Sequence, residues 1–318
     1  MKAKYEVKSN TDGIFLGIHL TKQPDGSTIF KRPAQLQTIF DKYLPEGTTR
    51  LPSKTITDSY YKNFDTEDSE PCDTTQFKSL IGALVQQVDC RPDIQFKLSK
   101  CSQRQCTPRV KDMEALLNIV KLLYMTRDQG VILRPGDSKS AATLVRLRGY
   151  ADCSCATHGN GKSHYSHCFD LVEENQHDDR SPLQKLFQTG MFYFKLYMAP
   201  TVDLTTAEGE AGALIECAKD AIFYRGVLQE LHLQQVQPTP LYGDNDSTIL
   251  LSTEYSNKHR RVRYMLPKIM WLMEQTKSHV LKMLRLGTTE LPPDVGTKIG
   301  GGTEFNMKMK RVMGSTDI

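Results

Sequence analysis

The spacing of apolar and polar residues predicts a β-hairpin followed by a helical region in the first 140 residues. Apolar, β-prone runs at 14–20 and 27–30 flank a Gln-Pro-Asp-Gly turn, and a short helix is predicted over 36–43. Residues 45–75 are rich in Pro, Thr, Ser and Asp and predict a linker. From 75 to 130 apolar residues recur at helical spacing, most strongly over 110–125. A hairpin alone is marginally stable, so we expect it to pack loosely on the rest.

The second half of the chain alternates between strand and helix patterns. Strands are predicted at 143–151, 164–172, 191–198, 238–242 and 280–286, and helices at 206–231, 247–253 and 263–278. This alternation is typical of an α/β domain with a mixed sheet.

The composition and the distribution of apolar residues predict a globular intracellular protein. Of its 318 residues, 39% are hydrophobic and 25% are charged. No stretch approaches the roughly 18 uninterrupted apolar residues that a membrane helix needs. The polar N-terminal segment lacks the apolar core of a secretory signal. We therefore expect a soluble protein with no membrane partner that is not secreted.

The eight cysteines are scattered through the chain, which favours reduced thiols over a disulfide framework. Cys153 and Cys155 lie near several histidines, a combination found in zinc sites. However, a single residue between two cysteines is tight for two zinc ligands. The spacing therefore disfavours structural zinc.

The net charge of +4 is mild, but basic residues cluster after position 257. The candidates for nucleic-acid contact are Lys258, His259, Arg260, Arg261, Arg263 and Lys268. Such a stripe can follow a phosphate backbone. A solvated helix face would look the same in sequence, so both interpretations stay open.

Four carboxylates occupy the ends of predicted elements. Asp152 ends the first strand of the second half, Glu208 lies in the first turn of the long helix, Asp244 follows the fourth strand, and Asp294 opens a last short helix. Ligands of α/β proteins bind at such positions. If the four converged, they would repel each other unless cations lay between them. Two Mg²⁺ ions about 3.5–4 Å apart would compensate their charge. Each could instead be a turn residue or helix cap, as we expect for Asp246.

Nine short motifs, in the same order along the chain, resemble the C-terminal part of the Pol polyprotein of copia-type LTR retrotransposons. They are FLGI at 15–18, FKSLIGAL at 77–84, CRPDI at 90–94, YMTRDQG at 124–130, GYAD at 149–152, LTTAEGE at 204–210, DN at 244–245, KH and VRY within 258–264, and PDVGTK at 293–298. The resemblance implies a reverse transcriptase thumb-like remnant and linker over 1–75 and a helical connection segment over 76–140. Over 141–318 it implies an RNase H-like domain with a five-stranded mixed sheet and flanking helices.

The same resemblance implies chemistry and partners. Asp152, Glu208, Asp244 and Asp294 fall on the four catalytic, metal-binding carboxylates of the family, which hold two Mg²⁺ or Mn²⁺ ions. The implied reaction is cleavage of the RNA strand of an RNA–DNA hybrid, gripped by the basic residues named above. Further partners would be the rest of a Pol polyprotein, in a cytoplasmic virus-like particle or in the nucleus. No Tyr-x-Asp-Asp motif occurs, so polymerase activity is not expected of this chain.

Several positions depart from the family pattern. Ser154 stands where the family has a second acidic residue, two positions after the first strand's Asp, and Arg261 stands where the family has Asp in the segment that begins with its Lys-His pair. These changes keep two alternatives open: a catalytically inactive protein that binds nucleic acid or acts as a scaffold, and a decayed reading frame without a cellular role.

Overall fold

The computed structural model describes residues 13–44, 60–61, 69–134, 145–155, 161–173, 189–253, 265–298 and 302–315. Within these ranges, a small antiparallel sheet contains β1 (Ile14–Phe15), β2 (Ile18–Lys22), β3 (Thr28–Lys31) and β4 (Val131–Leu133). The predicted hairpin is β2–β3, and β4 pairs with β3 from the far end of the helical region. The hairpin therefore belongs to a four-stranded sheet, which pattern reasoning missed because β4 has only three residues.

The predicted helical region is confirmed. It contains α1 (Pro33–Tyr43), α2 (Thr74–Val85), α3 (Gln95–Ser102) and α4 (Val110–Met125). The side chain of Asp73 caps α2 by accepting hydrogen bonds from the next helical N–H groups. The four helices bury one shared core, which includes Leu36, Phe40, Phe77, Leu80, Leu116 and Val120. Tyr60 and Tyr61, from the segment predicted as a linker, are buried in the same core.

The second half is an α/β unit with a five-stranded mixed sheet, as predicted. Its strands are β5 (Val145–Ser154), β6 (His164–Glu173), β7 (Tyr193–Met198), β8 (Thr239–Gly243) and β9 (Leu281–Arg285). Their order is β7-β6-β5-β8-β9. The first three strands are antiparallel, whereas β8 and β9 run parallel to β5.

Helices cover both faces of this sheet, so its central strand β5 is buried along most of its length. The helices are α5 (Thr206–Glu230), α6 (Asp246–Thr253), α7 (Leu266–Lys277) and α8 (Gly302–Met313), with a short 3-10 helix at Pro292–Gly296. Leu147 and Ala151 of β5 pack with α5 and α7, whereas Tyr150 packs with α8 and the 3-10 helix. No helix within the described ranges has the length and apolar character needed to cross a membrane.

A buried ion pair crosses the centre of the sheet. Arg148 on β5 lies directly opposite Asp170 on β6, and its guanidinium donates to both oxygens of that carboxylate, one at 2.8 Å. Burial lowers the pKa of Arg148, but the charge and hydrogen bonds of Asp170, together with Tyr150 and Tyr242, outweigh burial and the net shift is upward. Both side chains are almost inaccessible to solvent, so each charge depends on the other.

Candidate metal centre

Strand register places Asp152 beside the segment that carries Asp244. In the parallel pair β5–β8, Tyr150 lies next to Tyr242, and their rings stack with centroids 5.1 Å apart. Two residues further along each chain come Asp152, near the end of β5, and Asp244, just after β8. The two carboxylates therefore meet at the carboxyl end of the parallel strands, where α/β proteins place ligands.

The third carboxylate of the centre is Glu210, in the second turn of α5. The helix lies close to β5 at this point, because a Cβ atom at Gly209 would be only 2.5 Å from the sulfur of Cys153. One residue later, Glu210 faces the strand end. One carboxylate oxygen each from Asp152, Glu210 and Asp244 lie within 4.8 Å of one another. Asp152 and Glu210 are buried and Asp244 is half-buried.

Glu208, the predicted ligand on this helix, takes a different position. Its side chain accepts a hydrogen bond from the N–H of Leu204 at 2.6 Å, while the Thr205 hydroxyl accepts from the N–H of Glu208 at 3.3 Å. This reciprocal arrangement is close to a capping box. Thr205 and Glu208 have the Thr-x-x-Glu spacing of that box, so the sequence carried a signal for the capping role. Among the described residues, Glu210 and not Glu208 joins Asp152 and Asp244.

Asp294, the fourth predicted ligand, lies beside the centre but is paired with lysines. It is buried in the 3-10 helix Pro292–Gly296. Its Oδ2 atom accepts from the ammonium of Lys298 at 2.8 Å and from that of Lys308 on α8. The hydroxyl of Thr297 donates to Asp152 Oδ2 at 2.7 Å and so links this segment to the triad. Sequence reasoning did not identify Thr297 or Lys308, which only the packing of the C-terminal elements brings here.

The loop after β8 separates the two neighbouring acidic residues Asp244 and Asp246. Asp244 accepts a hydrogen bond from the Thr288 hydroxyl at 2.7 Å. Asp246 was predicted as the N-cap of the next helix, but the side chain of Asn245 accepts from the N–H of Thr248 at 3.1 Å. Asp246 is instead exposed in the first turn of α6 and pairs with Arg285. The cap prediction was therefore one residue late.

Burial and mutual repulsion raise the pKa values of two triad members. The pKa of Asp152 rises to about 7, first through burial and then through the charge of Asp294, and the Thr297 hydrogen bond offsets only part of this. The pKa of Glu210 rises to about 9, first through burial and then through the charges of Asp152 and Asp244. Carboxylates in this state need either a proton or a cation. Three oxygen donors of this kind are suited to a hard divalent cation.

Of the predicted nucleic-acid contacts, the described residues include only Lys268. Lys258, His259, Arg260, Arg261 and Arg263 lie outside the described residues. Lys268 is exposed on α7. Within the described ranges, neither Cys153 nor Cys155 belongs to a group of potential metal ligands, and both are free thiols.

The fold and the site together define an α/β domain with a buried acidic triad able to hold a divalent cation. No family model matches the chain. It is 28% identical over 233 residues to the retrovirus-related Pol polyprotein from transposon TNT 1-94 of Nicotiana tabacum, with 73% of this chain and 16% of that protein covered. It is 22% identical over 311 residues to the corresponding protein from transposon RE1 of Arabidopsis thaliana, with 96% and 19% covered.

A third relative is the retrovirus-related Pol polyprotein from transposon RE2 of Arabidopsis thaliana, at 22% identity over 304 residues, with 94% of this chain and 19% of that protein covered. The homologues of this chain are thus copia-type retrovirus-related Pol polyproteins of transposons, at low identity, which confirms the resemblance seen in the sequence. The chain spans less than a fifth of the length of these relatives.

Proposed function

We propose that this chain is a retroelement-derived, RNase H-like endonuclease fragment that cleaves the RNA strand of RNA–DNA hybrids. The observation that carries the proposal is the convergence of Asp152, Glu210 and Asp244 at the carboxyl end of the parallel strands. These residues come from three segments far apart in sequence, so neighbouring residues in one loop do not explain the cluster. The homologous Pol polyproteins support a retroelement origin.

The proposed cofactor is Mg²⁺ or Mn²⁺, held by the three carboxylates. When bound, such an ion activates a water molecule and stabilises the leaving oxygen of a phosphodiester. The surrounding residues prepare the ligands: the Thr297 hydroxyl orients Asp152, and the Thr288 hydroxyl holds Asp244. The triad accounts for one ion, and the predicted second ion would require Asp294.

The proposed substrate follows from the same origin. Proteins recognise hybrid duplexes mainly through backbone contacts and 2′-hydroxyl groups in the minor groove. Exposed Lys268 is the one proposed contact within the described ranges. The rest of a Pol polyprotein is a proposed partner, because the relatives are several times longer than this chain.

Hydrolysis of an end-labelled RNA–DNA hybrid in Mg²⁺ or Mn²⁺ tests this function. We expect the chain to cut the RNA strand, and Asp152→Asn and Glu210→Gln each to reduce the rate by about 100-fold, in line with the loss of a metal ligand. Glu208→Gln is the matched control, since it removes the same charge two residues away. Glutamine can still accept the Leu204 hydrogen bond, so this variant should cut at the wild-type rate.

Two results would contradict the proposal. If the folded wild-type chain left the hybrid intact with both metals, it would not be a nuclease. If Glu208→Gln lost activity while Glu210→Gln kept it, the proposed ligand on α5 would be the wrong one.

A second candidate is a catalytically inactive protein that binds hybrid duplexes, and the pairing of Asp294 with two lysines favours it. This candidate predicts hybrid binding without cleavage. Its affinity would fall steeply with salt and would not change in Asp152→Asn. Filter binding over a salt series, run beside the cleavage assay, separates the two candidates.

A further inference from the structure

The fourth carboxylate near the triad has cationic partners within the chain. Asp294 Oδ2 accepts from the ammonium groups of both Lys298 and Lys308. Lys298 lies four residues after Asp294 and is about half exposed, whereas the Lys308 side chain is only 4% exposed. Lys308 also donates to Glu304 at 2.7 Å. Asp294 is therefore already a member of a small ion-pair network that joins the 3-10 helix to α8.

Lys308 is held at this position by the fold. Its neighbours Met309 and Val312 on α8 pack into the core on this face of the sheet, together with Val295 of the 3-10 helix. If Asp294 were taken by a metal ion, the buried ammonium of Lys308 would keep only the half-exposed Glu304 as a partner, which is unfavourable for a buried charge. A divalent cation could bind Asp294 only if the Lys308 ammonium moved away or if the two positive charges lay close together. Both are costly at low solvent exposure.

The charges of the triad, Asp294 and the two lysines balance with one divalent ion, and Glu304, the other partner of Lys308, is half exposed to solvent. Asp152, Glu210, Asp244 and Asp294 carry four negative charges when all are ionised. The ammonium groups of Lys298 and Lys308 compensate two of them. A single divalent cation at the triad compensates the other two.

The hydrogen bonding of Asp152 is consistent with this balance. Its Oδ2 atom accepts from the Thr297 hydroxyl, which belongs to the segment that follows Asp294. One of its two carboxylate oxygens is thus already hydrogen-bonded to the segment that carries Asp294.

We propose that Asp294 acts as the counter-ion of Lys298 and Lys308 and not as a metal ligand, so that the centre binds one divalent cation. This inference rests on the proposed metal-binding role of the triad and differs from the sequence-based expectation of two ions. It makes Lys308 a positioning residue, since its ammonium would act through Asp294.

Titration of the full chain with Mn²⁺, followed by calorimetry and by the electron paramagnetic resonance signal of unbound Mn²⁺, tests the inference. We expect one ion per wild-type chain and none in Asp152→Asn. Asp294→Asn should still bind one ion with an affinity within threefold of wild type. The double variant with Lys298→Met and Lys308→Met leaves the Asp294 carboxylate without its ammonium partners, and this variant should bind a second ion. Lys310→Met, on the same helix α8, is the matched control and should still bind one.

Two ions per wild-type chain, or loss of an ion in Asp294→Asn, would overturn the inference. These two outcomes concern only the wild-type chain and Asp294→Asn, so the test does not depend on whether the lysine variants fold. The double variant Asp294→Asn, Lys308→Met removes one charge of each sign and should also bind one ion. One bound ion without hybrid cleavage would support the inference and reject the proposed nuclease. Zero bound ions would reject the metal centre itself.

Discussion

Asp152 on β5 and Glu210 on α5 each place a carboxylate oxygen within 4.8 Å of the other and of an oxygen of Asp244. Burial and the charges of Asp294 and Asp244 raise the pKa of Asp152, and burial and the charges of Asp152 and Asp244 raise the pKa of Glu210. The arrangement costs free energy in the absence of a cation, which makes the pH dependence of stability informative.

The stability of the metal-free protein should fall as the pH rises. The pKa of Asp152 is about 7 against an ordinary 3.8, and that of Glu210 is about 9 against 4.5. Between about pH 4 and 9 the folded chain keeps protons that the unfolded chain has released, so the contribution of these groups is largest at low pH and is lost as they ionise. Urea denaturation from pH 5 to 9 measures this decline, which Asp152→Asn with Glu210→Gln should flatten.

Added Mn²⁺ should reverse this trend, because metal ligands must be deprotonated. We expect the increase in Tm at saturating Mn²⁺ to be larger at pH 8.5 than at pH 6, as differential scanning fluorimetry would show. An equal or larger increase at pH 6 would contradict the assignment of these carboxylates as ligands.

Glu208 and Glu210 should differ in what their removal does. Glu208→Ala removes the acceptor for the Leu204 N–H and should lower the free energy of unfolding by about 1 kcal/mol, without weakening Mn²⁺ binding. Glu210→Gln should leave the metal-free chain at least as stable as wild type, since it replaces a buried carboxyl group that resists ionisation by a neutral side chain of the same shape, but should abolish the stabilisation by Mn²⁺. Urea denaturation with and without Mn²⁺ measures both. If the two variants behaved alike, the roles assigned on α5 would be incorrect.

The long helix α5 offers a test of its close packing on the sheet. A Cβ atom at Gly212 would be 2.2 Å from the hydroxyl oxygen of Tyr165, whereas one at Gly226 would have nothing within 4 Å. Gly212→Ala should therefore destabilise the fold by about 1–3 kcal/mol through overpacking. Gly226→Ala, in the same helix, should stabilise it by up to about 1 kcal/mol through helix propensity. Thermal unfolding of the two variants should shift in opposite directions.

The buried pair Arg148–Asp170 should show strong coupling. Arg148→Met leaves a buried carboxylate without its cation and should cost about 3–5 kcal/mol. Adding Asp170→Leu to that variant removes the stranded charge and should recover much of the loss. A double-mutant cycle by urea denaturation measures the coupling, and additive effects of the two changes would argue against it.

The helix after β8 should depend on Asn245 and not on Asp246. Asn245→Ala removes the side-chain acceptor for the Thr248 N–H and should cost about 1 kcal/mol. Asp246→Ala removes only an exposed pair with Arg285 and should change stability by less than about 0.5 kcal/mol. Denaturation midpoints compared at constant m-value test this difference, and a larger effect at Asp246 would restore it as the cap.

The sequence by itself determined the class of the fold and most of its elements. Helical periodicity identified α2 through its buried positions Phe77, Leu80, Ile81 and Leu84, and β-prone runs identified the five strands of the large sheet. The sequence also carried a resemblance to copia-type Pol polyproteins, which the homologous Pol polyproteins confirm. These properties are readable because the periods of a helix and a strand are local and depend only on neighbouring residues.

Only the tertiary structure decided which carboxylates meet. Glu208 and Glu210 are both acidic residues at the start of one helix, and it is the rotation of α5 on β5, through the close contact of Gly209 with Cys153, that brings Glu210 to Asp152. Likewise, no local pattern relates Asp294 to Lys308. Helix α8 packs on the face of the sheet opposite α5 and so brings Lys308 next to Asp294. Whether carboxylates from distant segments meet depends on the register, rotation and packing of those segments relative to one another. The periodicity within a single segment does not contain this information.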